Sequence, residues 1–346
     1  MQKPIAVIDA QRDFLTQSYA NAGRGICARA AAVDESVAHA RNAVARFINA
    51  APHQIVFTSG ATDGLNRVVD IIGNARCVAV SDLEHHSARL PWVGVQTVQM
   101  PLDEHYNYDV KNIPYADVVV ITAMSNVLGV PQDVAAIVRA AREKNPNVIT
   151  VVDAAQYVAH DKIDVKEWDC DFLCFSGHKI GADTGVGVMY IKEPDRWAPD
   201  KLGGGMVARV DGNTFVTEPA PYKFEAGTLP LTQIIGLPYA IEYIKSHRPD
   251  LAQIKYLYDA LVTNPRIKIL TARDAALLSF ITDDMAAIDF GALVGARGIC
   301  LRVGNMCASW IHNRMGLRGS IRISVGPQNT NDEIEQAANI IKGIVR

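Results

Sequence analysis

Apolar positions along the chain recur with two periods, and the alternation between those periods defines its elements. Val33, Val37, Ala40, Val44 and Phe47 fall three and four residues apart, the spacing of a helix with one buried stripe. This predicts a helix over 32–49 that closes near Ala51 and Pro52, preceded by a helix over 5–18. Short apolar runs follow at 55–57, 77–80, 95–100, 118–122, 148–152 and 173–175, with helical patterns over 62–72 and 132–143 between them. Strands that are apolar throughout and alternate with helices imply a mostly parallel sheet buried on both faces, hence an α/β fold. The run 185–191 predicts one more strand. Between 193 and 225, Pro and Gly are frequent and periodicity is weak, which predicts an extended region at an active site or interface. A long helix over 231–246 leads into a mixed section with helices over 249–263, 288–296 and 331–345 and strands over 267–270, 277–282 and 321–325. That section makes a second, smaller α+β domain.

Length agrees with this division, since 346 residues at roughly 150 per domain give two domains. The chain is 49% apolar and 21% charged, enough for a large core and against disorder. Lys and Arg number 34 against 37 Asp and Glu, so no basic excess favours a nucleic-acid partner. The cysteines, at 27, 77, 170, 174, 300 and 307, contain no CxxC pair and are too few for a disulfide framework, which points to a reducing, cytoplasmic setting. Apolar runs stop short of the roughly 18 residues of a membrane helix. Asp9 and Arg12 leave no apolar signal core near the start, so secretion is not indicated.

Four places could carry chemistry. Ser176, Gly177, His178 and Lys179 follow a buried strand, where desolvation lowers a lysine pKa and makes a nucleophile; a surface-loop lysine is the bland alternative. Asp153 ends the run before Gln156, and a carboxylate there caps a helix, binds a metal or meets a cationic ligand. No His or Cys lies at ligand spacing from it, which disfavours zinc. The turn from Phe57 to Thr62, with Ala61, opens a helix whose N–H groups suit a phosphate, although such caps are common in any protein. His85 and His86 follow the run at 77–80 and could equally be structural. A lysine, a strand-end acid, an anion site and a histidine together match the needs of pyridoxal phosphate.

With these residues in view, the chain resembles the class V aminotransferase-fold cysteine desulfurases. The resemblance rests on Glu84 to Ser87 with Pro91 and Trp92, Ser125 to Gly129, Asp153 through Asp169 to Phe172 and on to Lys179, Lys223 to Thr228, and Arg322 to Ser324 with Asn329 and Thr330. It covers nearly the whole chain. Arg302 to Ala308 stands where the Suf-type (group II) members, which include selenocysteine lyases, have Arg-x-Gly-His-His-Cys-Ala, and Cys307 and Arg322 keep that group's spacing. The resemblance implies fold-type I, with an N-terminal helix (1–20) on the small domain, a large cofactor-binding domain (21–235) and a small domain (236–346) that carries the catalytic cysteine. Lys179 would hold pyridoxal 5'-phosphate covalently, Asp153 would keep its ring nitrogen protonated, and His85 would stack on the ring and move protons. Gln156 would bond the ring oxygen, with Asn126 near that oxygen and the substrate carboxylate. Thr62, Ser176 and His178 would hold the phosphate beside Ala61, joined by Thr228 from the partner of a homodimer.

Arg322 would clamp the carboxylate of L-cysteine, with Arg302 and Arg24 as further cations. Cys307 would take the sulfur as a persulfide, leaving alanine, and pass it to an acceptor protein; an inert buried cysteine is the alternative. Cys170 and Cys174 read as core. Against the family, Gly23, Arg24 and Gly25 replace His-Arg-Gly, Asn305 and Met306 replace His-His, and Ala61 replaces the first of two threonines. The family's opening strand with its Leu-Asp-Asn-Ala-Ala-Thr segment has no counterpart before Gln2, Lys3 and Pro4, so either that strand is absent or the substrate pocket is rebuilt. The rivals are a selenocysteine or C–S lyase that works without a persulfide, and a cofactor-binding but catalytically idle interaction protein. A dinucleotide-dependent dehydrogenase is disfavoured, because Gly203 to Gly205 lacks GxGxxG spacing.

Overall fold

The computed structural model describes residues 2–23 and 26–345. Arg24 therefore lies outside the described residues. One seven-stranded sheet contains β1 (Ile55–Thr58), β2 (Cys77–Val80), β3 (Gln96–Gln99), β4 (Val118–Thr122), β5 (Ile149–Asp153), β6 (Phe172–Ser176) and β7 (Gly187–Ile191), in the order β1-β7-β6-β5-β4-β2-β3. The pairs from β3 through β6 are parallel, and β7 runs antiparallel between β6 and β1. The physical reason for the unbroken apolar runs is visible in β4: Val119 and Ile121 enter one core cluster, Val118 and Val120 the other. Every strand but the exposed edge strand β3 has two buried faces, so period-2 alternation vanishes.

The helices are α1 (Ile5–Asp13), α2 (Ala28–Phe47), α3 (Ala61–Ile72), α4 (His86–Arg89), α5 (Val134–Lys144), α6 (Val165–Trp168), α7 (Leu231–Ser246), α8 (Leu251–Leu261), α9 (Ala287–Gly295), α10 (Ser309–Arg314) and α11 (Asn331–Ile344). Helices α2, α5 and α7 cover one face of the sheet, and α3 covers the other. The first predicted helix runs as α1 and then a π-helical turn over Phe14–Ser18, while α2 begins four residues before the start at 32 that its apolar stripe predicts.

A smaller antiparallel sheet, β10 (Ile267–Ile269), β11 (Leu278–Thr282), β12 (Arg302–Gly304) and β13 (Ser320–Ile323), has the order β10-β11-β13-β12 and shares a core with α8, α9 and α11. Two findings differ from the expected layout. Val7 and Phe14 join the main core, with α1 lying on α7, so the N-terminal segment sits on the large sheet's side. Leu237, Ala240, Ile241 and Ile244 of α7 belong to that same core, which puts the 235/236 boundary inside a helix. The region expected to be irregular contains a hairpin, whose strands β8 (Val207–Asp211) and β9 (Thr214–Thr217) are mostly exposed on both sides and so carry no burial pattern.

Candidate active site

Strands β1, β2, β4, β5 and β6 end on one rim of the sheet, the edge where open α/β folds gather their functional side chains. Asp153 is the last residue of β5 and is buried, with Oδ1 accepting the Ala155 N–H at 2.9 Å. Burial raises its pKa; the Ala155 N–H and Lys179 pull the other way. Lys179 ends the single turn after β6, and burial and Arg322 lower its pKa against the opposing pull of Asp153. Ser176 Oγ accepts the Ala61 N–H at 2.8 Å, which ties the end of β6 to the first turn of α3, where Thr62 follows. This approach needs glycine. A Cβ on Gly187 would meet Gly60 Cα at 2.5 Å, so only a bare backbone lets β7 pass under the turn.

His85 caps α4, and its Nδ1 accepts the Ser87 N–H at 3.2 Å with Ser87 Oγ at 2.7 Å. Burial, His86 and Lys179 push its pKa down to about 4, so the ring is neutral at neutral pH. Behind it, the fully buried Glu84 receives Ser81 Oγ and Tyr108 OH on one oxygen and Thr122 Oγ1 on the other. Burial lifts this carboxyl to about 7 in spite of the three donors.

The small sheet supplies the opposite wall. Arg302 and Arg322 face each other across β12 and β13, an arrangement that like charges disfavour unless an anion sits between them. Arg322 Nη1 donates to Asn126 O at 2.8 Å, while its buried Nε finds no acceptor. Burial and Arg302 lower its pKa. Cys307 lies between β12 and α10 with φ +56°, next to Met306 at φ +55°. Its N–H donates to Asn305 Oδ1 at 3.1 Å, its carbonyl accepts the His86 N–H at 2.7 Å, and Asn126 Nδ2 donates to Met306 O at 2.7 Å. The cysteine loop is thus pinned to the rim of the large sheet.

These groups converge on one cavity of about 350 Å3. From the large sheet it is lined by Ala61, Thr62, His85, Asn126, Asp153, Gln156, Ser176, His178 and Lys179, and from the small sheet by Arg302, Cys307 and Arg322. Thr228 is exposed and does not line it. Met306, one of the departures from the family pattern, lines it beside Cys307, whereas sequence reasoning missed Ser87, Thr122 and Met124 on its walls. Only Ser87, two residues from His85, carried a local signal. Cys170 and Cys174 are fully buried, as expected of core, and burial pushes the Cys170 thiol up to about 12. Among the described residues no cluster of three His, Cys, Asp or Glu is placed to hold a metal, and no helix is long and apolar enough to cross a membrane.

A mostly parallel sheet between helix layers, joined to a small antiparallel α+β unit with a lysine and an acid at the sheet rim, is the fold-type I architecture of pyridoxal-phosphate-dependent enzymes. The aminotransferase class-V family model matches residues 1–337, and the chain belongs to that family. A cysteine desulfurase of Cronobacter sakazakii is 32% identical over 374 residues, covering 100% of this chain and 90% of its own. A probable cysteine desulfurase of Pseudomonas putida is 33% identical, covering 97% and 89%. Among solved structures, the apo cysteine desulfurase of Thermococcus onnurineus superposes with a TM-score of 0.93 at 29% identity over 99% of this chain and 92% of its own. The Escherichia coli cysteine desulfurase CsdA, in an S-sulfonic acid form, gives 0.89 at 30% identity over 99% and 91%.

Proposed function

We propose that the protein is a pyridoxal 5'-phosphate-dependent cysteine desulfurase that moves the sulfur of L-cysteine onto Cys307. The observation that carries this reading is the meeting, in one cavity, of desolvated Lys179, buried Asp153, the facing pair Arg302 and Arg322, and half-buried Cys307.

The residues present fit the cofactor. Ser176, Thr62 and His178 stand at the positive end of α3, where a phosphate is favoured. Asp153 is a buried carboxylate raised by desolvation, and a protonated ring nitrogen would supply its missing counter-charge. Lys179 would hold the group through Nζ, and its lowered pKa favours the free amine that such a bond requires. When bound, the cofactor supplies an electron sink for cleavage beside the substrate's α-carbon. Gln156 would bond the ring oxygen, and neutral His85 would stack on the ring and move protons. Arg322, with Arg302 and Asn126 beside it, would orient the substrate carboxylate. In the sulfur step the Cβ–S bond of cysteine breaks, an S–S bond forms at Cys307 Sγ, and Cβ gains a proton. The products are L-alanine and a persulfide, the latter destined for an acceptor protein.

A homodimer with Thr228 reaching the partner's phosphate site belongs to the same reading, and the free thiols suit a reducing, cytoplasmic setting. Mass spectrometry after borohydride reduction tests the cofactor. A phosphopyridoxyl group on Lys179 is expected, and an unmodified Lys179 in yellow protein sinks the assignment. After cysteine treatment Cys307 should gain one sulfur, and Cys307→Ala should stop alanine formation. Turnover retained in Cys307→Ala would turn the reading to a lyase without a persulfide. No alanine and no sulfide from the intact protein would leave a cofactor-binding interaction protein.

A further inference from the structure

The small sheet meets the large one along a row of side chains. Ser279 of β11 lies opposite Arg322 of β13, and Arg322 lies opposite Arg302 of β12. Residues directly opposite one another share a face, so these three side chains stand on one side of the small sheet. Next to them, Leu270 donates its N–H to the Ser279 carbonyl at 2.8 Å and packs its side chain on the core of the large sheet. Their neighbours along the strands, Leu278, Phe280, Ile321 and Ile323, belong to the core on the other face.

Two members of the row grip one loop of the large sheet. Arg322 Nη1 donates to Asn126 O at 2.8 Å, and Ser279 Oγ donates to the next carbonyl, Val127 O, at 2.5 Å. The Ala276 N–H adds a third bond, to Gly129 O at 3.0 Å. The loop is also closed on itself: Ser125 Oγ accepts the Val127 and Leu128 N–H groups, each at 3.2 Å, and the Gly129 N–H donates to Ser125 O at 2.8 Å. Its fit to the small domain is close, since a Cβ on Gly129, at φ +65°, would meet Leu277 Cγ at 2.6 Å. Ser279 is fully buried, so its hydroxyl needs an acceptor within the protein, and the one it has belongs to this loop. Arg322 needs the loop for another reason. The like charge of Arg302 opposes it across the ladder, and without a fixed acceptor for Nη1 the guanidinium would swing away and take its fork with it.

We propose that Ser279 is a positioning residue for the substrate carboxylate: by holding Val127 O it fixes the neighbouring carbonyl on which Arg322 rests, and so presents the Arg322 fork to the cavity. The proposal rests on the desulfurase reading, in which Arg322 is the carboxylate clamp. Ser279 does not line the cavity and acts through Arg322. The Cys307 loop keeps its own bonds to Asn305 and His86, so the sulfur step is spared.

The test compares wild-type and Ser279→Ala holoenzymes. KM for L-cysteine should rise about tenfold with kcat within about threefold. The Kd of L-alanine, read from the change it makes in the cofactor's absorbance, should rise by the same factor, whereas that of L-alaninamide, which lacks the carboxylate, should stay within about twofold. In Arg322→Lys, where the fork is already lost, adding Ser279→Ala should change the L-alanine Kd by less than about twofold. An unchanged L-alanine Kd in Ser279→Ala, an equal loss for L-alaninamide, or full additivity with Arg322→Lys overturns the role. Ser279→Cys, nearly isosteric and only a weak donor, makes the same comparisons if the alanine variant does not fold. Absence of alanine from L-cysteine in the wild type would instead be a failure of the desulfurase reading, and the L-alanine titrations then still judge Ser279.

Discussion

Cys307 and Met306 both hold left-handed backbone conformations, which cost non-glycine residues on the order of 1 kcal/mol each. Three anchors hold them there: the Asn305 carboxamide on the Cys307 N–H, the Cys307 carbonyl on the His86 N–H, and Asn126 on the Met306 carbonyl. Asn305 stands where the Suf-type pattern has histidine, and its Nδ2 also donates to Ser309 Oγ at 3.1 Å. It therefore acts through Cys307, as a positioning residue. Asn305→Ala should lower kcat about tenfold with KM within about twofold, because orientation of the nucleophile is lost and substrate binding is not. Asn305→Asp, which keeps the acceptor, should recover part of the loss. Alkylation of Cys307 in the resting enzyme gives a second readout, and an unchanged rate in Asn305→Ala would remove the positioning role.

The segment from β2 into α4 shows how an element is built to aim a side chain. Ser81, Tyr108 and Thr122 converge on Glu84 from three parts of the chain and fix the backbone that presents His85. Glu84 has its folded pKa raised to about 7, so its contribution to stability is full below its unfolded value near 4.5 and is lost as pH rises through 7. Denaturant midpoints should show it. The wild type should lose stability on the order of 2–3 kcal/mol between pH 4.5 and 8, a slope that Glu84→Gln lacks. Parallel slopes would show that the carboxyl is ionised across the range. Glu84 was legible only as part of a motif, because its partners at 108 and 122 are set by the tertiary fold. The central strands were legible for the opposite reason, since burial on both faces writes itself into each run of apolar residues. The hairpin β8–β9 and the three-residue β12 left no such trace: the first is exposed on both sides, and the second, Arg-Val-Gly, holds a single apolar residue and none that is fully buried. Lys179 and Asp153 stood out at strand ends and gained weight together, and Cys307 came through the family resemblance, whereas the pairing of Arg302 with Arg322 required the sheet.

For the whole molecule, the open question is which chain completes the phosphate site. Thr228 lies in the segment that Glu225 fastens to the core, through a buried bidentate ion pair with Arg41 and an acceptor for the Phe57 N–H. That segment is held firmly, yet Thr228 itself faces solvent and leaves its own chain's cavity alone. Close by in sequence, the hairpin exposes Val210, Phe215 and Val216 to 65%, 45% and 52%, apolar surface suited to a second copy. In the proposed homodimer each chain's Thr228 segment would lie against its partner. Subunit mixing decides the matter. Lys179→Ala removes the lysine from a chain's own cavity, and Thr228→Glu puts a carboxylate against whichever phosphate Thr228 serves. If the site is shared between chains, each homodimer is inactive, but a mixed dimer contains one site with intact Lys179 and intact Thr228 from opposite chains. Random reassociation of equal amounts should then restore about a quarter of the wild-type sites. If Thr228 serves its own chain, every site in the mixture keeps a defect and activity does not return.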